Sequence, residues 1–211
     1  MKIFLLMFFI IISISAKGQD LHFSQMYRSS FLINPAINSF QENDYQFVLQ
    51  RRSQWASVTR PFNTTSLSIE RKNFLPSHSY GAQFLNDVAG DSKFTTTGFN
   101  FSYSKLVNIS ETHDLSLGVL FGAFQRSVSY TGLIFNEEEN RSDINFWFPD
   151  FSLGISNNMI FSKTTQLVSG ISLYHLNKPK QSLSQDNTVR LNNKTNFFSS
   201  LSYSWKENVL L

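Results

Sequence analysis

Leu115-Ser116-Leu117-Gly118-Val119-Leu120-Phe121-Gly122-Ala123, continuing to Tyr130, alternates with a period of two. Leu115, Leu117, Val119, Phe121 and Ala123 share one face, while Ser116, Gly118, Leu120 and Gly122 share the other. Successive side chains of a strand point to opposite faces, so one face here is oily and the other mostly small. A strand that crosses a bilayer at a tilt needs roughly 9 to 11 residues, and this run is long enough. A half-buried strand of a soluble sandwich shows the same alternation. Recurrence of the pattern, and what precedes it, decide between the two.

An export signal precedes it. Lys2 supplies a positive start, Ile3 to Ile14 is almost unbroken in its apolarity, and Ser15, Ala16, Lys17 and Gly18 end the run. This reads as a secretory signal peptide over residues 1–18, cleaved after Ala16 or Gly18, with the mature chain starting near Gln19 outside the cytoplasm. There is no cysteine anywhere, which excludes both a lipidated amino terminus and a disulfide framework.

Composition narrows the class. No second long apolar run occurs, so a helical membrane protein is excluded. Phe is abundant at 22 of 211 residues while charged residues are only 16%, and mean hydropathy is slightly negative. That balance suits an apolar surface spread over many short alternating strands. The net charge of +3 comes from scattered basic residues and marks no nucleic-acid site.

The alternation recurs seven more times. Tyr45 to Trp55 sets Tyr45, Phe47 and Leu49 against Gln46, Gln50, Arg52 and Gln54, with Trp55 at an interface belt. Leu67 and Ile69 oppose Ser66, Ser68 and Glu70, and Tyr80, Ala82 and Phe84 oppose Gly81 and Gln83. Phe99, Phe101 and Tyr103 oppose Gly98, Asn100, Ser102 and Ser104, and Phe151, Leu153 and Ile155 oppose Ser152, Gly154 and Ser156. Leu167 to His175 and Phe197 to Trp205 complete the set. The expected fold is therefore all-β, a transmembrane antiparallel β-barrel of the outer membrane, with residues 19–42 as a periplasmic lead-in and 43–211 as strands. Lipid-facing positions include Phe99, Phe101, Leu117, Val119 and Phe121. Arginine at Val119 is expected to destabilise the barrel, and arginine at Gly118 to alter mainly the lumen.

Several segments resemble a known family. Phe23-Ser24-Gln25, Tyr27 and then Asn34-Pro35-Ala36 are similar to the opening of the PorP/SprF family, outer-membrane components of the type IX secretion system. Arg52-Ser53-Gln54-Trp55 followed by Pro61-Phe62-Asn63-Thr64 resembles two further family elements, with Ser53 in place of the usual Asn. Gly170, Ser172, His175, Leu176 and Pro179 resemble its Gly-x-Ser-x-x-His-Leu-x-x-Pro signature. The resemblance implies a non-enzymatic, cofactor-free role in export or surface attachment of cargo such as gliding adhesins. Implied partners are periplasmic lipoproteins of that system, the cargo and outer-membrane lipid. Family relatives continue with further strands past the position of Trp205, so the resemblance also implies a chain truncated at its carboxyl end. A complete eight-stranded barrel is the alternative.

The segment before the first strand, with His22, Phe23, Gln25, Tyr27, Asn34 and Pro35, is expected either to meet periplasmic partners or to act as an internal plug or packing strap. Arg52, Gln54, Trp55, His175 and Pro179 are signature positions of strands and lumen. The longest connections, 131–145 and 177–193, follow the fifth and seventh strands and are expected outside the cell. Glu137-Glu138-Glu139 reads as a solvated acidic tip of the first, without the spacing of a calcium loop. The four His show no metal-ligand spacing, and no nucleophile elbow or phosphate loop occurs. A porin for small solutes is the competing function, because a Ser/Asn/Gly-rich inner face would serve as a polar lumen.

Overall fold

A computed structural model describes residues 23–57, 61–90, 94–130, 143–183 and 189–205. Residues 1–18, expected to be a signal peptide, His22 and Glu137 to Glu139 lie outside the described residues. Eight strands follow one another: β1 (Tyr45–Gln54), β2 (Phe62–Leu75), β3 (His78–Ala89), β4 (Phe94–Ser110), β5 (His113–Val128), β6 (Ile144–Ser162), β7 (Thr165–Tyr174) and β8 (Lys194–Tyr203). Each pairs antiparallel with the next, so the order in the sheet is the order in the chain. No helix among the described residues is long and apolar enough to cross a membrane.

The expected strands are present, and several are longer than the alternation indicated. β6 begins at Ile144, well before Phe151, because its inward positions Phe146 and Phe148 are themselves apolar and hide the two-residue period. The polar stretch 108–114 is mostly strand, and only Glu111 and Thr112 make the turn from β4 to β5.

The sheet curls without closing. Among the described residues β1 and β8 each have a neighbour on one edge only, giving a half-barrel rather than a complete eight-stranded one. The connections differ sharply between its two ends. β2–β3, β4–β5 and β6–β7 are joined by two-residue turns, while the chain needs 129–143 and 175–193 to return from β5 and β7 at the opposite end.

The two faces separate cleanly. Phe99, Phe101, Leu117, Val119 and Phe121 are 45–60% exposed on the convex side. Aromatic rings pair across strands there, with Phe84 and Phe99 at 5.2 Å and Phe121 and Phe151 at 5.1 Å between centroids. Tyr45, Tyr80 and Tyr203 sit toward the two-residue turns, and Trp55 and Trp147 toward the long connections. A band of Phe, Leu and Val between two belts of Tyr and Trp is the surface that a bilayer requires of a strand wall. Much of the concave side is small and polar, with Ser66, Ser102, Ser104, Ser116 and Ser156 all buried, while Leu85, Leu120, Phe124 and Phe148 make an apolar patch on it. What buries them is the chain that precedes β1.

Candidate functional site

Residues 23–43 lie inside the curl as a strap. The strap starts at Phe23, packed with Leu85, Phe124 and Phe148 nearer the long connections. It leaves near Lys72, whose backbone N–H donates to Asp44 O (2.9 Å) beside the two-residue turns. On the way it makes three short helical turns, Met26–Arg28, Ser30–Ile33 and Ile37–Phe40. None is long enough to be stable alone, so tertiary contacts must hold the segment.

Asn34-Pro35-Ala36 is the centre of those contacts. Proline denies the chain a helical residue before it, and Asn34 is accordingly extended (φ −167°). Its Oδ1 accepts from the Ala36 N–H (2.9 Å), folding the chain over locally. Its Nδ2 donates to the Ile155 and Ile171 carbonyls, each at 3.0 Å. The turn rests on two glycines paired across β5 and β6, Gly118 and Gly154. A Cβ on Gly118 would lie 2.3 Å from Ala36 N, and one on Gly154 would lie 2.0 Å from Asn34 Oδ1. These glycines are therefore a cradle for the strap, and arginine at Gly118 would collide with its backbone. The expectation that such a change mainly alters a lumen is corrected: no open lumen exists at that point.

The strap bonds to every strand of the sheet. On β1, Gln46 and Gln50 side chains donate to Arg28 O (3.0 Å) and Gln25 O (2.9 Å). On β2, buried Glu70 accepts from Ser30 Oγ (2.7 Å) and from the Gln41 amide, while Lys72 Nζ donates to Gln41 O (2.6 Å). Asn38 Nδ2 donates to Tyr80 O on β3 (3.1 Å), and Ser39 joins Ser104 on β4 (2.9 Å) and Ser116 on β5 (3.0 Å). Asn34 reaches β6 and β7, Ser172 Oγ of β7 donates to Ile33 O (2.6 Å), and Asn196 Nδ2 of β8 donates to Leu32 O (2.9 Å). A segment without periodicity thus ties together strands up to 164 residues away.

Above the strap, toward the long connections, lies a cavity of about 330 Å³. Arg126 lines it, sandwiched between Phe94 and Phe148 at 5.2 and 5.3 Å from their ring centres. Its guanidinium donates to Thr96 Oγ1 and Gln181 O, both at 3.3 Å. His175 Nδ1 meets Asp150 Oδ2 at 2.8 Å, and both side chains are buried.

The residues singled out from sequence fall into different places. Phe23, Asn34 and Pro35 are buried in the strap, whereas Gln25 and Tyr27 remain exposed. The Arg28 guanidinium lies over the Tyr27 ring at 5.7 Å. Arg52 and Gln54 are half-buried on β1. Trp55 is exposed and meets the Phe62 ring edge-on at 4.9 Å. His175 directly follows β7 in a left-handed conformation (φ 59°), and the carbonyl of buried Pro179 accepts from Leu191 N–H at 2.9 Å. Glu70, the Gly118–Gly154 cradle and Asp150 escaped sequence reading. For Asp150 a signal existed, since it is the one acid in Phe146-Trp147-Phe148-Pro149-Asp150-Phe151 and falls on the inward side.

A family model described as type IX secretion system membrane protein PorP/SprF matches residues 15–211. No curated protein matches the chain, and no solved structure does.

Proposed function

From the premise that this chain belongs to the PorP/SprF family of type IX secretion system membrane proteins, we propose that it is a non-enzymatic outer-membrane scaffold of that machinery. In this reading it supports export or surface attachment of cargo such as adhesins. Its partners are periplasmic lipoproteins of the system and the cargo itself. The convex apolar band faces lipid, the two-residue turns face the periplasm, and the long connections face outward, following the loop asymmetry of outer-membrane barrels.

The observation that favours a scaffold over a porin is the strap. A porin keeps water along its inner face, but here Ser104 and Ser116 bond to Ser39 of the strap, and Asn100, Gln83 and Ser66 bond to one another. Residues 23–43 fill the space through which a solute would pass. We assign partner contact to the segment with His22, Phe23, Gln25, Tyr27, Asn34 and Pro35. Within it, exposed Gln25 and Tyr27 lie beside the open edges β1 and β8 and offer the contact surface there, and buried Phe23, Asn34 and Pro35 hold that surface in place.

Co-purification and conductance separate the readings. A scaffold should bring down type IX periplasmic lipoproteins from a strain carrying the full system, and should show no steady conductance in planar bilayers. Loss of Gln19 to Ala36 should weaken the association, but it also removes most anchors of the fold. Tyr27→Ala, on a side chain 67% exposed, tests contact without that cost. Robust conductance without lipoprotein co-purification would overturn the scaffold reading in favour of a solute porin.

A further inference from the structure

We propose that the cavity between the strap and the long connections is a binding site for a primary amine carried on an apolar stem. Its floor is Phe31 and Leu32 of the strap, and Leu85, Leu120, Phe124 and Phe148 form much of its wall. At about 330 Å³ it falls in the range of sites for small ligands, which are mostly apolar with a few placed polar groups.

Asp150 is the placed group. It lines the cavity with a side chain only 10% exposed. Oδ2 is engaged by His175 at 2.8 Å, but buried Oδ1 has no hydrogen-bond partner among the described residues. A buried carboxylate oxygen left unbonded is costly, and a donor that carries positive charge compensates it best.

The cations nearby are committed elsewhere. Arg126 is held between two rings, donates to Thr96 and Gln181 and faces the charge of Asp87. The Lys194 ammonium lies over the Tyr174 ring at 4.7 Å. Asp87 already accepts from Thr64 Oγ1 at 2.6 Å. Asp150 is thus the acceptor left for an incoming N–H group, and the surrounding rings suit an alkyl or aromatic stem. Such an amine could be a free molecule or a lysine side chain of a peptide. The site does not depend on the role in secretion.

Calorimetric titration of the full-length protein in detergent micelles tests this, with phenethylamine as the free amine and acetyl-Phe-Lys-Phe-amide as the peptide. Their uncharged counterparts are 2-phenylethanol and the same peptide with Nε-acetyl-lysine. At least one amine should bind about tenfold or more tightly than its counterpart, as expected for a charge-assisted bond in a desolvated site. Which of the two amines binds identifies the source. Asp150→Asn should remove the preference, while Asp114→Asn, on a carboxylate outside the cavity, should leave it. Circular dichroism and heat-modifiable gel migration report whether the Asp150 variant is folded. The amine-against-neutral comparison on the unmodified protein stands even if it is not. Equal binding of amine and counterpart, no binding of either amine at millimolar concentration, or an unchanged preference in folded Asp150→Asn would each overturn the assignment.

Discussion

Replacing Asn34 should release the strap. Its side chain makes three hydrogen bonds, donating to the Ile155 and Ile171 carbonyls and accepting from Ala36 N–H, and it is wholly buried. Each such bond contributes about 1 kcal/mol net, so Asn34→Ala should cost about 3 kcal/mol, or roughly a hundredfold in the population with the strap open. Asn34→Asp keeps the shape and the bond to Ala36 but sets a carboxylate oxygen against two carbonyls, so it should cost at least as much. Arg28 is exposed in the strap, which makes limited trypsin digestion after it a measure of opening. Urea unfolding in micelles gives the stability independently. Asn34→Asp with wild-type stability and wild-type cleavage would refute the claim that these amide bonds hold the strap.

Other substitutions test other parts of the fold. Val119→Arg on the lipid face should destabilise by about 2–4 kcal/mol at mid-membrane, and Gly118→Arg should speed trypsin cleavage after Arg28 by displacing Ala36 and opening the strap, so the two variants separate in a combined melting and digestion assay. Glu70→Ala removes the acceptor shared by Ser30 and Gln41 and should cost about 2–3 kcal/mol in urea unfolding, while Glu70→Gln, which keeps one acceptor, should cost less. Phe23→Ala empties a place beside Leu85, Phe124 and Phe148 and should cost about 3 kcal/mol, read as a lowered urea midpoint.

The wall of this protein was legible in its sequence, and the strap was not. Phe99-Asn100-Phe101-Ser102-Tyr103 announces a strand because lipid outside and tight packing inside impose opposite demands on neighbouring residues. β6 was only half visible, since Phe146 and Phe148 face inward toward other rings and erase that contrast. An open sheet cannot be told from a closed one in this way, because each strand alternates identically whether or not the edges meet. The strap has no period at all. Its position comes from single side chains that bond to backbone carbonyls of strands far along the chain, as Asn34 does to Ile155 and Ile171. Gly118 and Gly154 were legible as small inward residues, but their purpose depends on a turn more than 80 residues earlier. Resemblance points to Asn34-Pro35-Ala36 and to His175, and only the three-dimensional fold connects the first to the glycine cradle and the second to Asp150.

The strap's place inside the curl is tested most directly by cross-linking, for which a chain with no cysteine is well suited. Ser39 Oγ and Ser104 Oγ are 2.9 Å apart on the concave side, whereas the neighbouring Tyr103 points to the other face. In outer membranes from cells with the full secretion system, Ser39→Cys with Ser104→Cys should form a disulfide rapidly under mild oxidation. Ser39→Cys with Tyr103→Cys should not, since a disulfide requires Cβ atoms about 4 Å apart and turned toward each other. Equal yields from the two pairs, or none from the first, would contradict a strap bound across the inner face of the sheet.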